Sequence, residues 1–123
     1  TDGPELALEI WSVVPGSTPD CPNGSVGWTL DESKKTDYTL HVFDPSDSRE
    51  CFILPFQLLR CAFRHHLIDW KAEFKVAQQE TRHGTRRWKS ECVFVPAQTV
   101  ILAIDQEMRG TMAGGIKGPE QFA

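Results

Sequence analysis

PFQLLRCAFRHHLIDWKAEF, residues 55–74, decides how the rest of this chain is read. Phe56, Leu59, Phe63, Leu67, Trp70 and Phe74 recur at spacings of 3, 4, 4, 3 and 4. On a helix that period gathers six large apolar side chains into one narrow stripe. Pro55 stands where the stripe begins, a position at which the missing N–H costs nothing because that donor has no intrahelical partner. The spacing therefore predicts one long central core helix, and the flanking segments must supply the surface it packs on.

Those flanking segments read as strands. Glu5–Val14 alternates, with Leu6, Leu8 and Ile10 to one side and Ala7, Glu9 and Trp11 to the other. Both sides are largely apolar, which predicts an internal strand. Residues 15–27, rich in Pro, Gly, Ser, Asn and Asp, form a loop long enough to reach over a binding face. Asp37–Asp44 and Glu50–Leu54 predict an antiparallel hairpin. Lys75–Thr81 and Arg86–Val95 predict another, turning at Arg82–Thr85. Pro96 opens a second helix with Val100, Ile101, Ile104 and Met108 on its buried side. The expectation is a single α/β domain over residues 1–109 with a flexible C-terminal tail over 110–123. In class it is α+β: a mixed β-sheet of about five strands, one long central core helix and a second C-terminal helix.

Composition sets outer bounds. The 123 residues, 40% hydrophobic and 24% charged, suit one globular domain and exclude wholesale disorder. No apolar run reaches the roughly 18–20 residues of a membrane-spanning helix. Thr1-Asp2-Gly3-Pro4 has neither the basic nor the apolar part of a secretion signal. Cys21, Cys51, Cys61 and Cys92 include no C-x-x-C pair, and Cys51 and Cys92 fall in apolar, strand-like runs. They read as reduced core residues of a cytoplasmic protein.

The net charge of −4 is unevenly spread. Between Arg60 and Lys89 stand eight basic and three acidic residues, a local +5 that leaves −9 for the remainder. Such asymmetry points to a localised anionic partner. At 100° per residue, Arg60, Arg64, Lys71 and Lys75 fall within about 60° of each other beside the apolar stripe, where they could track phosphates. Arg82, Arg86, Arg87 and Lys89 add donors around the hairpin turn, and Trp88 adds a ring for stacking. The competing reading is that helix flanks carry charge for solubility.

Other chemistry is thinner. Cys61 and His65, four apart on the helix, could share an ion, but no second ligand pair stands at zinc spacing, and the histidines read as polar helix surface. Glu9 is an acid inside an apolar strand: either it faces water at a sheet edge or it serves a purpose such as holding a hard cation. Asp31, Glu32 and Asp37 surround Lys34 and Lys35. No nucleophile-elbow or phosphate-cradling glycine motif is present.

Four segments together resemble a known family. ELALEIWSVV (5–14), GWTLDESKKTDYTLHVF (27–43), CFILPFQLLRCAF (51–63) and SECVFVPAQTV (90–100) follow the order seen in the latter part of small phage- and bacteria-encoded PD-(D/E)XK nuclease-like proteins. The nearest matches are Lys35-Thr36-Asp37-Tyr38 and Leu54-Pro55 with Leu59-Arg60. The resemblance implies part of a restriction-endonuclease-like fold acting on nucleic acid, DNA rather than RNA. It implies Mg²⁺ or Mn²⁺ as cofactor, with Glu9 as an accessory carboxylate at the metal and Lys35 and Asp37 in the catalytic neighbourhood. The basic side chains Arg60, Arg64, Lys71, Lys75, Arg82, Arg86, Arg87 and Lys89, with Trp88, would then hold nucleic acid. The family's Asp and Glu-x-Lys strands, however, precede the one that matches Leu6–Ile10. Asp69-Trp70-Lys71 and Glu73-Phe74-Lys75 fit that triplet but fall on the core helix. Either the catalytic strands lie upstream of Thr1, or the chain is a non-catalytic relative. A binding module without cleavage, and a protein-interaction domain that pairs as a homodimer, are the other expectations.

Overall fold

The computed structural model describes residues 3–42 and 51–116, with side chains described as far as residue 110. It is α+β, with six strands and two helices in the order β1 (Glu5–Val13), β2 (Ser25–Val26), β3 (Tyr38–Val42), β4 (Cys51–Pro55), α1 (Phe56–Glu73), β5 (Lys75–His83), β6 (Arg86–Pro96) and α2 (Ala97–Ile116). The strands form two sheets, β2-β1-β6-β5 and the hairpin β3-β4. Every pairing is antiparallel, so the expected mixed sheet is corrected. The pairs β1-β2, β3-β4 and β5-β6 are consecutive in sequence, whereas β1 and β6 meet antiparallel across the intervening elements.

The predicted stripe builds the core. Phe56, Leu59, Phe63 and Trp70 of α1 are buried, and Phe63 stacks on Trp70 with ring centroids 6.0 Å apart. Leu67 and Phe74 are half-buried against the same cluster. Leu6 pairs with Val95 and Leu8 with Val93, so these four side chains share one sheet face and meet the helices there. Val100, Ala103 and Ile104 of α2 close the core, as the sequence predicts for Val100 and Ile104. Met108 is 43% exposed instead of buried.

Element ends depart from expectation in instructive ways. Helix α1 stops at Glu73, and Phe74 is extended, its N–H donating to the Trp70 carbonyl. Lys75 therefore begins a strand and leaves the helical stripe assigned to it. The first turn of α1 has no side-chain cap, and the Phe56 N–H donates to the Asp37 carbonyl at 2.9 Å. Helix α2 continues to Ile116, so residues 110–116 are helical where an irregular tail was expected, and 117–123 lie outside the described residues. Residues 43–50, which hold the predicted ends of the first hairpin, also lie outside them.

Strand β1 bulges between Glu9 and Trp11. Glu9 opposes Cys92, but the next paired residue, Trp11, opposes Glu91, and Ile10 and Trp11 both reach the core. The bulge breaks the strict alternation read from the sequence. The cysteines are all free thiols. Cys51 and Cys61 are exposed, and Cys21 and Cys92 half-buried, so none is the core residue expected. Cys51 points outward because it sits on the open face of β3-β4, opposite Val42. No helix among the described residues is long and apolar enough to cross a membrane.

Candidate nucleic-acid interface

Glu9 owes its setting to the bulge and to the turn that follows β2. Strand β2 covers only two residues, so beyond it the open side of β1 is completed by the 27–29 segment. Gly27 N–H donates to the Ile10 carbonyl at 2.8 Å, and the Glu9 N–H donates to the hydroxyl of Thr29 at 3.1 Å. Thr29 is fully buried, which fixes that hydroxyl. The Glu9 carboxylate in turn accepts the Trp28 N–H at 3.1 Å. The acid in the apolar strand is thus half-buried and clamps the turn that carries Gly-Trp-Thr.

Beyond the clamp lies a pocket of about 250 Å³, lined by Glu9, Asp31, Lys34 and Trp28 among others. Lys35 and Asp37 are exposed and do not line it. Asp31 is held below the usual carboxylate range, first by the Ser33 hydroxyl and then by the Ser33 N–H, both donating to Oδ1. One oxygen of each carboxylate is therefore committed to the protein, and no group of three His, Cys, Asp or Glu side chains converges among the described residues. The carboxylates lining this pocket are Glu9 and Asp31 alone, and Mg²⁺, which keeps several of its waters, is commonly held through one or two such groups, so their remaining oxygens are the ones that would hold a hard cation here. Cys92, opposite Glu9, is pushed up by burial and by the charges of Glu9 and Glu91, so its thiol stays protonated.

The cations of α1 are largely spent on the fold. Arg60 is only 9% exposed, donates to the Asp31 carbonyl at 2.6 Å and to Gln57, and lies 5.4 Å from the Phe56 ring centroid. Arg64 pairs with Glu32, whose carboxyl it holds low. Lys71 reaches Glu91 at 4.0 Å, and Lys75 lies over Phe94. These contacts fasten the 31–32 turn and the sheet to the helix. The helical histidines are occupied too: His65 pairs with Glu107 of α2, and His66 stacks on Trp70 at 4.9 Å.

The end of the β5-β6 hairpin differs. Arg82 opposes Arg87, Glu80 opposes Lys89, Thr81 opposes Trp88 and His83 opposes Arg86. Since cross-strand partners share a face, Glu80, Arg82, Arg87 and Lys89 stand on one side, and Arg86 and Trp88 on the other. All four cations are exposed. Two arginines directly opposite each other destabilise a hairpin, and the neighbouring Glu80 offsets this. It accepts from Arg82 at 2.8 Å and lies 3.9 Å from Arg87, and Arg82 holds its carboxyl low. Gly84, with φ +65°, forms the turn.

On the other side, Arg86 pairs with Asp20 at 3.2 Å and lies 6.0 Å from the Trp88 ring centroid. Asp20 belongs to the 15–27 loop, which is fastened to the hairpin by Val14 N–H to the Lys89 carbonyl and Lys89 N–H to the Ser17 hydroxyl. The sequence marks this loop by its composition and length; Ser17, Thr18 and Asp20 carry no motif, and only the fold brings them against the arginines. Of the residues predicted to hold nucleic acid, the structure gathers Arg82, Arg86, Arg87, Trp88 and Lys89 at one end of the hairpin and leaves Arg60, Arg64, Lys71 and Lys75 elsewhere. Compared with protein-family models, with curated proteins and with solved structures, the chain matches none.

Proposed function

We propose that this chain is a nucleic-acid-handling domain of the PD-(D/E)XK, restriction-endonuclease-like kind, which holds the DNA backbone on the end of its β5-β6 hairpin. The observation that carries the reading is the Arg82–Arg87 pair, two cations facing each other across a ladder with Lys89 beside them. A single carboxylate, Glu80, is shared between the two arginines, and a phosphate at this exposed hairpin end adds a second anion that accepts from both guanidinium groups. The sequence resemblance suggests the class of protein, and the exposed hairpin cations supply the contact.

The test is binding of a labelled DNA duplex across a salt series. If Arg82, Arg87 and Lys89 each neutralise one phosphate, the slope of log affinity against log salt is about −3. The triple substitution R82Q/R87Q/K89Q is expected to flatten that slope and abolish most binding at low salt. Binding that ignores salt, or survives the triple substitution, overturns the reading. The same protein incubated with plasmid and Mg²⁺ or Mn²⁺ separates a nuclease from a binding module.

One observation favours a second reading, a protein-interaction domain. Tyr38, Leu40, Val42 and Ile53 are 62–67% exposed and share the outward face of β3-β4 with Cys51. A contiguous apolar face of this kind marks an interaction surface, and a second copy of the chain is the simplest partner. Sedimentation analysis is then expected to show a dimer that Leu40→Lys returns to a monomer.

A further inference from the structure

The face of the hairpin opposite Arg82 is built differently, and of the three cations in the phosphate contacts proposed above only Arg87 reaches the space beside it. Here the 15–27 loop is laid along the strands and held by the two backbone-mediated ties at Lys89. Between loop and hairpin lie two adjoining cavities that share Thr18, Asp20 and Arg86 in their walls. One, of about 270 Å³, is mostly apolar and is walled by Val13, Cys21 and the half-buried ring of Trp88. The other, of about 600 Å³, is more polar and adds Ser17, Thr85 and Arg87. Together they have the size of a small-ligand pocket.

We infer that this double cavity takes one unpaired nucleotide of a single-stranded nucleic acid, its base beside Trp88 and its phosphate between Ser17 and Arg87. The inference rests on the proposed nucleic-acid role and adds which strand form is recognised, and where. An aromatic wall with an apolar floor accepts the flat face of any base, whereas hydroxyls and guanidinium groups suit a phosphate. Arg86 lies between the two compartments, its guanidinium over the Trp88 ring and its Nε donating to Asp20. A base stacked in a duplex presents no free face to such a recess, so the cavity selects unpaired strand. Asp20 accepts from Arg86 and so competes with the incoming phosphate for this second guanidinium of the polar cavity.

The test is fluorescence-anisotropy titration of a labelled ten-residue thymidine oligonucleotide and of a duplex against the whole chain. Trp88→Ala is expected to weaken the single strand roughly tenfold or more while leaving the duplex unchanged. Trp88→Phe, which keeps a ring, is expected to restore most of the loss. Asp20→Asn is expected to tighten single-strand binding by freeing Arg86. Single-strand affinity that is indifferent to Trp88→Ala overturns this inference but leaves the hairpin-end reading standing if R82Q/R87Q/K89Q still abolishes duplex binding. Absence of binding to either oligonucleotide at low salt overturns both.

Discussion

Replacing Phe63 by Ala is expected to cost about 4 kcal/mol of folding stability, the upper range for truncating a buried aromatic residue. Phe63 is 0% exposed, lies midway along α1 and stacks on Trp70. It belongs to one buried cluster with Leu59, the sheet residues Val93 and Leu8, and Val100 of α2. Truncation leaves a void that these elements cannot fill, since each is held by its own ladder or helix. Such a loss consumes much of the roughly 5–15 kcal/mol that holds a domain of this kind together. Urea unfolding followed by circular dichroism measures it directly. A loss below about 1 kcal/mol would mean that the helix does not occupy the core as described.

The second large effect is expected at Gly27, where Ala should cost about 3 kcal/mol. A Cβ there would stand 2.3 Å from the Glu9 carbonyl oxygen and 2.6 Å from the Glu9 carbonyl carbon, both backbone atoms that cannot swing aside. Relief requires the turn to move away from β1, which breaks the Gly27–Ile10 hydrogen bond and pulls Trp28 from the Glu9 carboxylate. Gly16→Ala is the control. Gly16 has φ +80° with open space around it, so Ala there meets only the left-handed backbone penalty of about 1 kcal/mol. Equal losses at the two positions would show that the close approach of residues 9 and 27 does not exist. The Gly27 variant should also enlarge or collapse the pocket beside Glu9, because that carboxylate is positioned by the same turn.

How much of this was legible beforehand follows from what each signal encodes. The helix at 56–73 could be read because six large apolar side chains repeat at its own period, and no other local structure places them together. The strand at Glu5–Val13 was equally plain, but its bulge was not: Ile10 and Trp11 both look inward only because β6 and β2 set different registers on its two sides. The basic stripe on α1 is legible as charge, but the partners its side chains meet are not. Arg60 looks like a solvated flank in the sequence, yet the 31–32 turn folds over it and supplies a carbonyl for its guanidinium. Lys75 left the stripe because Phe74 turned extended, which no periodicity announced.

The division follows from the range of the forces involved. Hydrophobic period, turn residues and charge count are local properties, so by itself the sequence determined two helices, two hairpins, an α+β class and a cationic segment between residues 60 and 89. Which cations remain available is not a local property. It depends on Glu32, Glu91 and the Asp31 carbonyl arriving from distant chain positions to engage those of α1, while at the exposed end of the β5-β6 hairpin Arg82 and Arg87 share Glu80 and Arg86 meets Asp20. Likewise, the loop at 15–27 could be read as a loop, but its seat against Arg86 and Trp88 is made by hydrogen bonds spanning some seventy residues. Tertiary packing decided those contacts, and with them which cations stand exposed at the end of the hairpin.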